Sequence, residues 1–174
     1  PDEPTVFCHE GELHLWAGRY GLARDSFLQS LAITPKVRWA YVGLCAVEMM
    51  VEDYDKALWW CDEGLANFPP PGRTMYAYRG EVYRRTGELE LALAETQQML
   101  EMTPGRITSW MNRALIERAR GEDAADERLH TTYKKLWAHA PGLMHDGLER
   151  HQTIERFSSP SPEEICALFE TLFG

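Results

Sequence analysis

Residues 73–106 read RTMYAYRGEVYRRTGELELALAETQQMLEMTPGR, and this stretch decides how the remainder of the chain is read. Tyr76, Gly80, Val82 and Tyr83 fall at helical spacing, so one face is aromatic and aliphatic with one small residue in it. Thr86-Gly87-Glu88 then breaks the helix, glycine being the residue that most readily leaves a helical end. A second apolar stripe follows at Leu89, Ala92, Leu93, Met99 and Leu100, and Pro104 closes the unit. The pattern is a helix, a tight turn and a second helix. Two short helices cannot bury both apolar faces against each other, so the unit needs neighbours on either side.

The chain supplies them. The aromatic that opens each first helix recurs as Phe7, Tyr41, Tyr76 and Trp110, at spacings of 34, 35 and 34. Four positions later a small residue recurs as Gly11, Cys45, Gly80 and Ala114, and two further on an aliphatic one, Leu13, Val47, Val82 and Ile116. In the second helices Ala23, Ala57 and Ala92 take the slot where the partner helix crosses closely. Leu31, Leu65 and Leu100 hold an apolar slot near the end, and Pro35, Pro69 and Pro104 stop the helix. The turns read Gly18-Arg19-Tyr20, Glu52-Asp53-Tyr54, Thr86-Gly87-Glu88 and Arg120-Gly121-Glu122. Paired amphipathic helices at a fixed period stack into a solenoid.

This pattern resembles the tetratricopeptide repeat (TPR), a helix-turn-helix unit of about 34 residues. The resemblance covers about residues 4–141 and implies an all-α, α-α superhelix of about four repeats, near 4–37, 38–71, 73–106 and 107–141. The departures are specific. The leucine expected before the small slot is present only as Leu44; Glu10, Arg79 and Arg113 replace it elsewhere. Pro69-Pro70-Pro71-Gly72 adds one residue between the second and third units, which predicts an altered superhelical step there. In the fourth unit the small slot falls on Asp126, and a shift of three residues restores the pattern as Leu129, Tyr133, Leu136 and Pro141.

Beyond Pro141 the period stops. Residues 142–157 read as a capping helix with Met144, Leu148, Ile154 and Phe157 as its apolar side, followed by a linker at 158–160. Residues 161–174 form a strongly signalled helix: Ser161 as N-cap, Pro162 at the first position and Glu164 completing a capping box. Its apolar face is Ile165, Leu168, Phe169, Leu172 and Phe173. That face either packs on the solenoid or docks on another chain.

A net charge of −9 disfavours nucleic acid and anionic membranes, where binding begins with phosphate neutralisation. Apolar runs fall short of the ~20 residues of a membrane helix, and Pro1-Asp2-Glu3-Pro4 does not open a signal peptide. The first residue is not Met, which points to a fragment or a processed product. Cys8, Cys45, Cys61 and Cys166 are widely spaced and read as reduced, buried thiols of a cytoplasmic protein. Among the histidines, His9 and His14 lie five apart and His145 and His151 six apart, so neither pair shares a helix face as metal ligands would. The sequence carries no nucleophile elbow, phosphate loop or dinucleotide fingerprint. Neither catalysis by this chain nor a cofactor is expected.

Recognition is the remaining chemistry. The resemblance implies that the first helices line a concave groove, with Cys8, Glu12, Leu15 and Trp16 from the first unit and Trp39, Val42, Ala46, Met49 and Met50 from the second. Thr74, Ala77, Glu81, Arg84 and Arg85 follow from the third, and Thr108, Met111, Leu115, Arg118 and Ala119 from the fourth. Trp16, Trp39, Met49, Met50 and Met111 make this wall apolar, while Arg84, Arg85 and Arg118 suit an acidic or carboxylate-bearing segment. The alternative is that these arginines pair internally with Glu81, Glu117 or neighbouring acids, and that Trp39 packs between repeats. The carboxylate clamp that TPR co-factors of heat-shock chaperones carry would fall on Cys8, Glu12, Gly43, Thr74 and Tyr78, and none of these suits that task. The leading expectation is a scaffold or adaptor that binds a peptide segment of a partner protein. A recruiting domain of a larger enzyme, and a self-associating module using the 161–174 helix, are the alternatives.

Overall fold

A computed structural model describes residues 3–68, 73–104 and 107–121, together with positions 127, 131, 164 and 167. Seven α-helices fill the described stretches: α1 (Pro4–Trp16), α2 (Tyr20–Ile33), α3 (Arg38–Met50), α4 (Tyr54–Asn67), α5 (Arg73–Thr86), α6 (Leu89–Met102) and α7 (Ile107–Ala119). The extra residue at 69–72, the second helix of the fourth unit, the 142–157 cap, the 158–160 linker and the apolar face of the final helix lie outside the described residues.

Each turn is made by one residue forced into the left-handed region. Gly18 (φ 71°), Gly87 (φ 83°) and Gly121 (φ 78°) occupy that slot, and Glu52 (φ 61°) takes it in the second unit despite its side chain. The next amide then reaches back over the helix end: Arg19 N–H to His14 O at 2.9 Å, Asp53 N–H to Glu48 O at 2.9 Å and Glu88 N–H to Tyr83 O at 2.8 Å. This six-to-one bond satisfies a carbonyl the helix has left unpaired. Asp53 adds a cap to α4, accepting from the Lys56 amide at 3.3 Å. At the other end α2 and α6 stop at Ile33 and Met102, two residues short of Pro35 and Pro104.

The pairs α1·α2, α3·α4 and α5·α6 are antiparallel neighbours, and each later first helix also packs on the second helix before it, as α2·α3, α4·α5 and α6·α7. Among the described residues, first helices touch one another in sequence, α1·α3·α5·α7, and the successive second helices α2, α4 and α6 pack on one another less. A row of helices in closer mutual contact is the inner row of a curved stack, so α1, α3, α5 and α7 form the concave wall. The small slots are buried as the periodicity predicts: Ala23, Ala57 and Ala92 are fully enclosed. Val47, Val82 and Ile116 are likewise buried, but Leu13, in the same slot of the first unit, is 68% exposed. The later helices have a preceding second helix to cover that side, whereas α1 has no described helix before it.

The core is continuous from α1 to α5. Its tightest joint is the Phe27 ring, which lies between two glycines: a Cβ on Gly11 would stand 2.7 Å from it and one on Gly43 only 2.2 Å. A crossing this close needs hydrogen on both flanking helices. Further along, Cys45 Sγ and Cys61 Sγ meet at 3.3 Å, and Met75 Sδ lies 3.9 Å from Cys45. Soft sulfurs fill the α3–α4–α5 junction.

Polar staples join the repeats where the pattern lacks its leucine. Arg79 donates to Asp62 of α4 at 2.6 Å and to Glu95 of α6 at 2.7 Å, with its guanidinium over the Tyr76 ring. One repeat later Arg113 donates to Gln97 of α6 at 2.9 Å and to Glu117 at 2.7 Å, over the Trp110 ring. The apolar contact has been replaced twice by the same charge-assisted joint. Between α2 and α3, Arg24 grips the buried Glu48 with two bonds of 2.7 and 2.8 Å.

Candidate functional site: the concave wall

On the wall, a slot recurs every 34 or 35 residues, so equivalent positions on successive first helices form rows running across it. One row at the C-terminal ends of the helices is Leu15, Met49, Arg84 and Arg118; the next is Trp16, Met50, Arg85 and Ala119. Trp16 and Met50 in that second row are 39% and 38% exposed. Trp39 is equally open, with the Arg38 guanidinium 5.0 Å from its ring centroid. It lies, however, eleven residues before Met50 on α3, roughly 16 Å away along the axis. The structure therefore brings Trp16 and Met50 to one rim and Trp39 to the other. Met49 and Met111 are buried, Met49 at 1% exposure. Arg118 is exposed near the end of α7.

The middle of the wall is dry. All ten residues from Ala40 to Met49 on α3 are buried, including the inward slots Val42, Ala46 and Met49. Cys8, Leu15 and Ala77 are buried in the equivalent slots of α1 and α5. Cys8 is held protonated: burial first, then the nearby Glu12 carboxylate, pushes its thiol up to about 12.

Charge enters on α5. Glu81, wholly buried, accepts from Arg84 Nε and Nη2 at 2.8 Å each and from Arg85 Nε at 2.8 Å. The other edge of the Arg84 guanidinium donates to Glu164, Nη1 to Oε1 at 2.9 Å and Nη2 to Oε2 at 3.0 Å. Arg84 is thus a fork between two carboxylates, one built into the wall and one supplied from 80 residues further along the chain. Burial works against its charged form, but the bonds to Glu81 and Glu164 prevail and raise its pKa above the ordinary guanidinium value. The same opposition of burial and Glu81 raises Arg85. Among the described residues no group of three His, Cys, Asp or Glu side chains could hold a metal ion, and no helix is long and apolar enough to cross a membrane.

No protein-family model matches the chain, and no curated protein matches it either. Solved structures do. MamA superposes with a TM-score of 0.70 at 19% identity, covering 81% of this chain and 82% of its own. TTC0263, a thermophilic TPR protein of Thermus thermophilus, gives 0.64 at 19% identity over 97% of this chain and 89% of its own. YrrB, a TPR protein with an unusual peptide-binding site, gives 0.62 at 13% identity over 97% and 86%. The chain has the tetratricopeptide-repeat fold.

Two features of this TPR wall have different standing in the sequence. Glu81 stands three and four residues before Arg84 and Arg85, the spacing at which helical side chains meet, so the pairing is readable from spacing. The Glu164 contact is not. As a residue of an N-terminal capping box Glu164 has a sufficient local role, and no periodicity links it to α5. A carboxylate flanking an amphipathic face, in a chain whose wall carries arginines, is the one signal that pointed there.

Proposed function

We propose that this chain is a protein-interaction module that receives a peptide segment of a partner protein along its concave wall. Trp16, Trp39, Met49, Met50 and Met111 form the apolar side of that surface, and Arg84, Arg85 and Arg118 its charged side. The observation that carries the reading is the Arg84 fork: one edge is satisfied by Glu81 and the other grips the Glu164 carboxylate through two bonds. Planar two-point recognition of a carboxylate is the chemistry of a peptide anchor. Exposed aromatic and methionine side chains on the same wall add adaptable apolar contact.

The preferred partner segment carries an acidic residue beside apolar ones. An array of immobilised 15-residue peptides, probed with the wild-type chain and with the exposed-wall variants Met50→Asp and Arg118→Glu, tests this. The wild type is expected to select acidic-apolar peptides, with at least tenfold weaker signal from either variant. Identical profiles for all three, or an equal loss in Trp59→Asp on the second helix α4, would remove the concave wall as the binding surface.

A further inference from the structure

The wall raises a question of occupancy. The described neighbours of α3 are α1, α2, α4 and α5, which flank it and lie behind it in the stack. Its inward slots Val42, Ala46 and Met49 are nevertheless as dry as its packed faces. An apolar concave surface that excludes water needs something lying on it.

Glu164 says what that is. It accepts two bonds from Arg84, whose slot on α5 matches the buried Leu15 and Met49 of α1 and α3, and both it and Ala167 are helical. Ala167 is exposed, while Glu164 is only partly so. In a helical register Ala167 lies about 60° to one side of Glu164. Ile165, Leu168, Phe169, Leu172 and Phe173 spread over the other side, centred about 100° away. Glu164 is held by Arg84 and Ala167 is exposed, so in that register the stripe falls on the side opposite the exposed position. A 14-residue helix is about 20 Å long, enough to cross two first helices packed 8–10 Å apart.

We infer that residues 161–174 occupy the concave wall of their own chain as its resident ligand, with Glu164 as the charge anchor on Arg84 and the stripe from Ile165 to Phe173 as the apolar face. The inference rests on the concave wall being the binding surface proposed above. It adds what the wall selects: an amphipathic helix with a carboxylate just ahead of apolar residues at i, i+3, i+4 and i+7. A tethered segment acts at an effective concentration near millimolar, so an outside partner must displace it, and its apparent affinity is lowered by the fraction of time the wall is closed.

The full-length chain can be tested directly, using a fluorescent peptide of residues 159–174 as the probe. In Leu168→Asp/Phe169→Asp the tethered segment loses its apolar face, and the probe is expected to bind at least tenfold more tightly than to the wild type. Oxidation by hydrogen peroxide, read by mass spectrometry, supplies a second readout. Met50, 38% exposed, should oxidise in both proteins, and Met49, 1% exposed, only in the variant. Glu164→Lys, a milder change at a partly exposed position, should speed Met49 oxidation severalfold and covers the case in which the double variant is poorly folded. Equal probe binding, with Met49 protected in every variant, would overturn the inference. So would a wild-type dimer that dissociates in the double variant, because the segment would then belong to a second copy. Failure here with a wall-dependent peptide array leaves the binding surface standing; success here with a wall-independent array removes partner binding alone.

Discussion

Glu81 is the residue on which the charge of the wall turns. It is fully enclosed and accepts three hydrogen bonds from Arg84 and Arg85. Removing one partner of a buried ion pair typically costs about 3–5 kcal/mol, because the other charge stays buried without compensation. Glu81→Gln keeps the shape and removes the charge; Arg84 retains Glu164 and Arg85 has some access to water, so the lower end, about 3 kcal/mol, is expected from urea unfolding. A loss under about 1 kcal/mol would mean that water screens the pair far better than its burial implies. Cys8 makes a prediction of opposite character, in pH. Its thiol is ordinary in the unfolded chain, near 9.0, and pushed up to about 12 in the fold, by burial and then by Glu12. A raised folded pKa gives stability that is whole below pH 9 and drains away as pH climbs from about 9 to about 12, since the unfolded state loses its proton first. The thermal midpoint of wild type minus that of Cys8→Ala should therefore be flat from pH 6 to 8 and fall beyond pH 9. A difference that stays constant to pH 11 would show that Cys8 ionises in the fold as readily as in the unfolded chain.

Among elements, the α1–α2–α3 joint is the most sharply specified. In the interior of a helix alanine is favoured over glycine by about 1 kcal/mol, so Gly43→Ala on α3 would stabilise the protein if space allowed. Space does not: the new Cβ would lie 2.2 Å from the Phe27 ring. Overpacking of this kind costs about 1–3 kcal/mol, so Gly43→Ala is expected to destabilise. In a Phe27→Leu background the same substitution should cost much less, with a coupling of at least about 1 kcal/mol between the sites. Additive effects in that double-mutant cycle would place the ring elsewhere. The joint also shows what was legible beforehand and what was not. Gly11, Ala23, Ala57 and Ala92 announce close crossings because the period returns a small residue to one slot. Gly43 sits outside that slot, and its need for hydrogen comes from a ring on the preceding helix in the chain order. Likewise Arg79 and Arg113 register in the sequence only as departures from a leucine, although they form one staple repeated across two interfaces. Apolar burial has a periodic signature in a helix, whereas a charge pair between helices is defined by three-dimensional reach.

For the whole molecule, the stack predicts where stability is concentrated. A solenoid is held by nearest-neighbour interfaces, so a unit with neighbours on both sides is secured twice and one at the margin once. The helical period made that architecture readable from residues alone, while the inner row was implied only by the resemblance to tetratricopeptide repeats; the period could not supply it. It could not show whether the inner row is wet, because a slot's exposure depends on what else the chain brings to it. The α3 helix is the decisive case: it has a helix pair on either side, its residues from Ala40 to Met49 are all buried, and its inner slots are dry. In α1, by contrast, Leu13 is exposed and Cys8, Gly11 and Leu15 are the buried positions. Native-state hydrogen exchange followed by mass spectrometry should therefore show amides of α3 and α5 opening only with global unfolding, and those of α1 opening at a free energy lower by about 2 kcal/mol or more. If the concave wall is closed in cis, Leu168→Asp/Phe169→Asp should bring α3 down towards α1 while leaving their order unchanged. Protection that is uniform from α1 to α7 in the wild type would mean that the chain unfolds as one cooperative block, and the nearest-neighbour account of its stability would fail.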